Sequence, residues 1–220
     1  VEAERLDATA YLAPRGFAEH LLAELKGVEA RYERLIVARG GPQGAFWAQN
    51  VWKEPCLLRF GSIGEAAKHL RGIQRNWALY SYRLHRRSLL LKEALPFVSE
   101  KPRPFPYDPP PAPMGACCLI DEHTMLYSPA CSSPFPGGAI EFVEDKEGPP
   151  SRAYLKLYEA LSLLGRRPGP GARCLDAGSS PGGWTWVLAG LGARVLAVDR
   201  APLEPRVAAM PGVEWRKGNA

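Results

Sequence analysis

Ten consecutive residues, Leu175-Asp176-Ala177-Gly178-Ser179-Ser180-Pro181-Gly182-Gly183-Trp184, bring an acid, three glycines and a proline into one turn. They lie between two apolar runs, Arg173-Cys174-Leu175 and Trp186-Val187-Leu188-Ala189-Gly190-Leu191, which predicts strand, turn and helix. Glycine lets backbone approach a ligand closely, and the N-terminus of the following helix supplies free N–H groups. The spacing excludes a dinucleotide fingerprint. Gly-x-Gly-x-x-Gly would need a glycine where Ser180 stands. Further on, Asp199 closes the run Ala193-Arg194-Val195-Leu196-Ala197-Val198. An acid at the end of the second strand of an α/β unit hydrogen-bonds the ribose hydroxyls of a nucleoside cofactor. The plainer alternative is a strand-end turn into Arg200-Ala201-Pro202.

The pattern Asp-x-Gly-x-x-Pro-Gly-Gly-Trp at 176–184 resembles the S-adenosylmethionine loop of class I methyltransferases, in the FtsJ-like branch that methylates ribose hydroxyls of RNA. The resemblance implies S-adenosylmethionine as cofactor, no metal, and a binding set of Asp176, Gly178, Ser180, Pro181, Gly182, Gly183, Trp184, Asp199 and Asn219. Asp176 would help hold the methionine amino group, or brace the loop through backbone N–H groups, or both. Trp184 would shield the cofactor or pack under the helix. Asn219, after a third strand at Val213-Glu214-Trp215, would meet the adenine amino group, or fray with the end of the chain.

One helix earlier, Pro149-Pro150-Ser151-Arg152-Ala153-Tyr154-Leu155-Lys156-Leu157 resembles the Ser-Arg-x-x-x-Lys-Leu helix of the same enzymes. There the lysine opens a Lys-Asp-Lys-Glu tetrad, which makes Lys156 the candidate catalytic residue. A ribose hydroxyl is a poor nucleophile. It must be aligned with the sulfonium methyl and lose its proton as it attacks, and a buried or clustered lysine can serve as base or electrostatic guide. A lone lysine is otherwise a solvated helix-face residue. Arg152 is placed to contact RNA phosphate. The other tetrad members are expected beyond Ala220, so the chain as it stands is expected to bind cofactor without the full catalytic set.

Further motifs narrow the resemblance to the M-type 23S ribosomal RNA cytidine 2′-O-methyltransferases: Tyr11-Leu12-Ala13-Pro14-Arg15-Gly16-Phe17, Cys117-Cys118 and Ser132-Ser133-Pro134-Phe135. Those enzymes carry a ferredoxin-like and THUMP region ahead of the catalytic domain. A basic cluster of Arg83, His85, Arg86, Arg87 and Lys92 beside Trp77, Tyr80 and Tyr82 would suit RNA through phosphate contacts and stacking. It would equally suit a helix with a solvated basic face.

The elements that must position these residues read as two folded pieces. In residues 1–95, two β-α-β patterns follow one another. The first is a strand at 8–13, a helix at 17–25 and a strand at 34–38. The second is a strand at 56–60, a helix from Ile63 to Leu70 and a strand at 77–82. Ser62 is the N-cap of that helix and Glu65 completes a capping box. Two such halves predict a ferredoxin-like α+β domain, for which the resemblance implies RNA binding. Residues 96–113 hold eight prolines and are expected to be a stiff linker. Residues 114–220 are expected to form a Rossmann-like α/β methyltransferase domain. It would open with a β extension, a hairpin of 116–120 with 125–127 and a strand at 139–143. Only three strands of its sheet are present, so an apolar edge and face would be exposed, and the natural protein is expected to continue past residue 220.

Bulk properties bound the reading. The chain has 220 residues, a net charge of +5 and a pI near 9.0, which permits nucleic-acid binding without showing it. No run approaches the ~20 apolar residues of a membrane span, and the start, Val1-Glu2-Ala3-Glu4-Arg5-Leu6-Asp7, is too polar for a signal peptide. Five cysteines without Cys-x-x-Cys argue for reduced cytosolic thiols, not a disulfide framework or zinc site. Adjacent Cys117 and Cys118 would point to opposite faces of a strand. Two other functions fit less well: a non-catalytic RNA-binding protein with a methyltransferase-like fold, and a methyltransferase for a non-RNA substrate. The second has no need of the Lys156 helix.

Overall fold

The computed structural model describes residues 1–111 and 113–219. The chain forms two compact units, each made of two pieces of sequence. The first is Val1–Lys101 with Pro110–Ile140, and the second is Pro102–Pro109 with Glu141–Ala220.

The first unit contains β1 (Glu2–Arg5), β2 (Ala8–Leu12), α1 (Ala18–Glu24), β3 (Val28–Tyr32), β4 (Leu35–Arg39), β5 (Asn50–Trp52), β6 (Cys56–Arg59), α2 (Ile63–Ile73), β7 (Trp77–Leu79), α3 (His85–Ala94), β8 (Gly115–Leu119) and β9 (Thr124–Ser128). One sheet has the order β3-β4-β2-β5 and the other β1-β6-β9-β8-β7. The two sheets pack on each other through Ala10, Leu12, Val37 and Trp52 from one and Ala116, Cys118 and Leu126 from the other. Helix α1 covers the outer face of the first sheet through Leu21 and Leu25. Helices α2 and α3 cover the outer face of the second through Leu70 and Leu91, against Cys117, Leu119 and Met125. Strands β2 and β8 are buried along their whole length, on both faces, so the alternation expected of a half-exposed strand at 8–13 does not hold. Cys117 and Cys118 do face opposite layers. Ser62 caps α2, accepting the Glu65 N–H at its Oγ at 3.3 Å, but the return bond of the expected capping box is shifted by one residue, the Gly61 N–H donating to Glu65 Oε2 at 2.9 Å.

The single ferredoxin-like sheet does not form. Strands β2 and β4, expected to run parallel across α1, are antiparallel neighbours, because β3 intervenes and returns the chain as a hairpin into β4. Strands β6 and β7 belong to the other sheet. Two further expectations change with this. The hairpin β8–β9 does not extend the second domain; β9 pairs with β6, and β8 pairs in parallel with β7, inside the first unit. The proline-rich stretch is no mere spacer, because residues 102–109 pack within the second unit. Phe105 stacks on Tyr158 with centroids 3.8 Å apart, and Arg167 grips Asp108 through both carboxylate oxygens at 2.6 and 2.7 Å. The expected strand at 139–143 reduces to a bridge between Arg103 and Phe142.

The second unit is an α/β layer: α4 (Tyr154–Leu164), β10 (Arg173–Ala177), α5 (Gly183–Gly190), β11 (Arg194–Asp199), α6 (Pro205–Ala208) and β12 (Val213–Lys217). The three strands are parallel in the order β10-β11-β12. Helices α4 and α5 cover one face through Tyr154, Leu157, Leu161, Val187 and Leu188 against Val195, and α6 adds Val207 against Ala197 on the same face. On the opposite face Leu175 is exposed beside Arg173, Arg194, Glu214 and Arg216.

Candidate cofactor site

The acids of the site are fixed by the ends of the parallel strands, where ligands bind in open α/β sheets. Asp176, next to last in β10, is buried, and the Thr185 hydroxyl in the first turn of α5 donates to its Oδ2 at 2.7 Å. A buried carboxylate needs such a partner. One bracing role of Asp176 is therefore met by a side chain, not by the backbone. Thr185 was not singled out in the sequence, although a threonine one turn into the helix was the available signal.

From β10 the chain crosses to β11. The N–H groups of Gly178 and Ser179 donate to the Val198 carbonyl at 2.9 and 3.3 Å. The Ser180 N–H donates to Asp199 Oδ2 at 2.9 Å, and the Ser180 hydroxyl donates to the Pro202 carbonyl at 2.9 Å. The other Asp199 oxygen accepts the Ala201 N–H at 3.0 Å. The N–H groups of Ala201 and Ser180 outweigh what little burial there is and hold the Asp199 carboxyl below its ordinary range. Two carboxylate oxygens with about four acceptor sites keep capacity for further hydroxyls. Asn219 lies two residues beyond β12, where its side-chain oxygen accepts the Arg200 guanidinium.

A consequence for pH follows with a definite sign. Asp199 has a depressed folded-state pKa, so its contribution is fully present above the unfolded carboxylate value of about 3.9 and fades as pH falls through the lower folded value. Affinity for a nucleoside cofactor is expected to be flat from neutral pH down to about 5, as titration calorimetry would record. Asp199→Asn is expected to lower affinity across that whole range.

The three glycines of the turn have different reasons to be glycine. Gly182 has φ +115°, and a methyl group there would sit 2.9 Å from Val207 Cγ1. At Gly183 it would sit 2.8 Å from Ser151 Oγ. Both are spaces needed for packing. Only at Gly178, with φ +76°, would a side chain meet nothing within 4 Å. The close backbone approach expected of the whole turn is therefore open at Gly178. Pro181 follows Ser180 through a cis peptide bond, and its carbonyl accepts the Glu204 N–H at 2.9 Å.

The glycine turn is tied to the start of α4. The Trp184 indole N–H donates to the Ala153 carbonyl at 2.9 Å while the ring stays 42% exposed, and Ser151 packs on Gly183. Trp184 thus both packs and borders solvent. Lys156 lies in the first turn of α4. Its side chain is exposed and has no hydrogen bond or ion pair among the described residues, so it is neither buried nor clustered. Arg152 is paired with Glu144. The hydroxyls of Ser151 and Ser179 are buried without a hydrogen-bond partner. Orphaned polar atoms of this kind are uncommon, and Ser88, Ser162 and the indole N–H groups of Trp52 and Trp215 are orphaned in the same way elsewhere among the described residues. Ser151 opens the Ser-Arg motif read in the sequence, but the N-cap of α4 is Ala153, without a side-chain cap; Ser179 was not singled out.

The basic cluster of the first unit is partly committed. Arg83 lies over the Tyr82 ring at 5.2 Å, Arg87 donates to the Glu122 carbonyl at 2.8 Å, and Lys92 pairs with Glu100 at 2.9 Å. Trp77 is buried, with its indole N–H donating to the Leu70 and Gln74 carbonyls. Arg86 is exposed.

A strand, glycine turn and helix with acids at two adjacent strand ends make the open end of a parallel α/β sheet, the place where such folds take their ligands. Residues 149–220 match the model of the FtsJ-like methyltransferase family. Along most of its length the chain is similar to proteins named ribosomal RNA large subunit methyltransferase M. It is 32% identical to the one from Xanthomonas axonopodis pv. citri over 200 residues, 85% of this chain and 50% of that protein. It is 32% identical to the one from Xanthomonas campestris pv. campestris strain B100 over 203 residues, 88% of this chain and 52% of that protein. The corresponding protein of Halorhodospira halophila is 49% identical over 74 residues, 32% of this chain and 22% of that protein. The chain spans about half the length of the Xanthomonas relatives.

Proposed function

We propose that the full-length protein transfers a methyl group from S-adenosylmethionine to a ribose 2′-hydroxyl of RNA, and that its substrate is large-subunit ribosomal RNA, as in the names of its relatives. The observation that carries this is the joint between the glycine turn and α4. Trp184 and Ser151 hold the start of the Lys156 helix against the turn that would hold the cofactor. In this reading the second unit is a Rossmann-like class I domain. Asp199 takes the ribose hydroxyls, Asp176 the methionine amino group and Asn219 the adenine amino group. The backbone beside Gly178 lies along the cofactor, and the orphaned Ser179 hydroxyl supplies a further polar contact.

When bound, the cofactor supplies a methyl group on a sulfonium, activated for direct in-line transfer. The protein's part is orientation and charge. In this reading Lys156, whose side chain is exposed and unpaired among the described residues, aligns the acceptor hydroxyl and steadies the oxygen as its proton passes to water. Arg152 and the exposed Arg83 and Arg86 would meet RNA phosphates, with Arg87 adding charge beside them. A cytoplasmic site of action agrees with five free thiols. Among the described residues no helix is long and apolar enough to cross a membrane. The test is methyl transfer from labelled S-adenosylmethionine to ribosomal RNA isolated from cells lacking the gene. Incorporation into a 2′-O-methyl nucleoside is expected, and label only in base or in protein would refute the reading.

A further inference from the structure

Helix α1 and the loop after β4 gather four rings on the surface of the first unit. Phe17 stacks on Trp47 with centroids 4.6 Å apart and planes within 8°, and the His20 ring leans on both at 5.5 and 5.0 Å. Phe17 and Trp47 are each more than a third exposed, and neighbouring Phe46 is 95% exposed. A single exposed apolar residue needs no explanation, but a cluster of aromatic faces does.

The loop that presents Phe46 is braced on both sides. Gln43 accepts the Lys26 N–H at 3.0 Å, donates to the Lys26 carbonyl at 2.8 Å, and donates its own N–H to the Tyr11 hydroxyl at 2.7 Å. The Trp47 N–H donates to Glu24 Oε2 at 3.0 Å, and Ala45 and Ala48 pack into the core under α1. Phe46 is therefore held out in water by anchored neighbours. The charges around the rings are biased. Glu19 is paired with Arg31 at 2.6 Å, and Glu24 is engaged by the loop backbone. Arg15 and Lys26, which flank the patch in sequence, have no ion-pair partner among the described residues.

We propose that Phe46, with the Phe17–Trp47–His20 stack, is a stacking platform for an unpaired RNA base, with Arg15 and Lys26 serving the flanking phosphates. Flat π faces with uncommitted cations flanking them in sequence match single-stranded nucleic acid, whose bases stack on exposed rings and whose phosphates take the charge. The inference rests on RNA being the substrate.

The experiment uses the full-length protein and a fluorescent single-stranded RNA of roughly twelve nucleotides, a length matched to such sites. Phe46→Ala is expected to weaken binding on the order of 5- to 150-fold, the worth of one base–aromatic stack, with the salt dependence unchanged. Phe46→Trp should restore affinity. Arg15→Ala should instead reduce the slope of log affinity against log salt by about 0.7. Binding by Phe46→Ala at wild-type strength overturns the platform. So does a Phe46→Ala phenotype confined to lost self-association or lost peptide binding. If the wild type binds RNA and Phe46→Ala does not matter, only the platform fails. If the wild type binds no RNA, the functional reading fails with it. An unchanged melting temperature and cofactor affinity would show that each variant is folded.

Discussion

Lys156→Ala is expected to slow methyl transfer by about 10²- to 10⁴-fold, the usual worth of a positioned acid–base group. Cofactor affinity should stay within about twofold, as for a surface substitution that breaks no bond. Both halves follow from the same facts. Lys156 is exposed on the first turn of α4 and its side chain has no hydrogen bond or ion pair among the described residues, so truncating it breaks no bond. Yet that turn is tied to the glycine loop by the Trp184–Ala153 hydrogen bond, so in the proposed reading the backbone that carries the ammonium is held near the cofactor loop. Lys156→Arg separates two roles. Arginine keeps the charge but does not release a proton, so activity retained in that variant would mark Lys156 as an electrostatic guide. Single-turnover transfer and calorimetric cofactor binding together decide the matter. Equal loss of transfer and binding would make Lys156 a structural residue.

Gly182→Ala is expected to destabilise the second unit by about 2–4 kcal/mol, from left-handed backbone strain together with overpacking. The backbone at φ +115° is one that side chains rarely adopt, and the added methyl would lie 2.9 Å from Val207 Cγ1 and 3.3 Å from Leu203 Cδ2. The Gly182 carbonyl also accepts the Trp186 N–H at 2.8 Å, so a shift here displaces the first turn of α5. Urea unfolding should show a lower midpoint. Gly178→Ala is the informative control. It carries backbone strain of about 1–2 kcal/mol but meets no atom within 4 Å. Its cost in stability should be smaller and its cost in cofactor affinity larger. The reverse ranking would mean that no ligand approaches the backbone at Gly178.

Local order was legible where the signal is local. The strand, turn and helix at 173–190 were marked by glycine and proline between apolar runs, and Ser62 with Glu65 marked the start of α2. Pairing is not local, and there the reading failed. Strands β2 and β4 carry nothing in their composition to say that a third strand, β3, would turn one antiparallel to the other. Strand β3 itself alternates charge with small residues and is largely exposed, so it resembled a loop. The proline-rich stretch was read by composition, which hid that Phe105 has a ring to stack on. In the site, the acids were recognisable by their place at strand ends. Thr185 and Ser179 were not, and Ser151 was marked only through its motif, because a hydroxyl gains meaning only from what faces it in space.

The division of the chain carries a practical consequence for dissecting the molecule. The polypeptide passes from one unit to the other three times, after residues 101, 109 and 140. No single cut therefore yields either unit intact. Ending at 101 removes β8 and β9 and leaves β6 and β7 without the strands that lie between them. Beginning at 141 removes Phe105 from Tyr158 and Asp108 from Arg167. During synthesis, residues 102–109 leave the ribosome before any of their packing partners exist. Stiff proline-rich chain suits such a segment, because it has few wrong conformations to explore while it waits. A shortened gene product that retains only one of the interleaved pieces is expected to be captured by proteases and not to persist as a working domain.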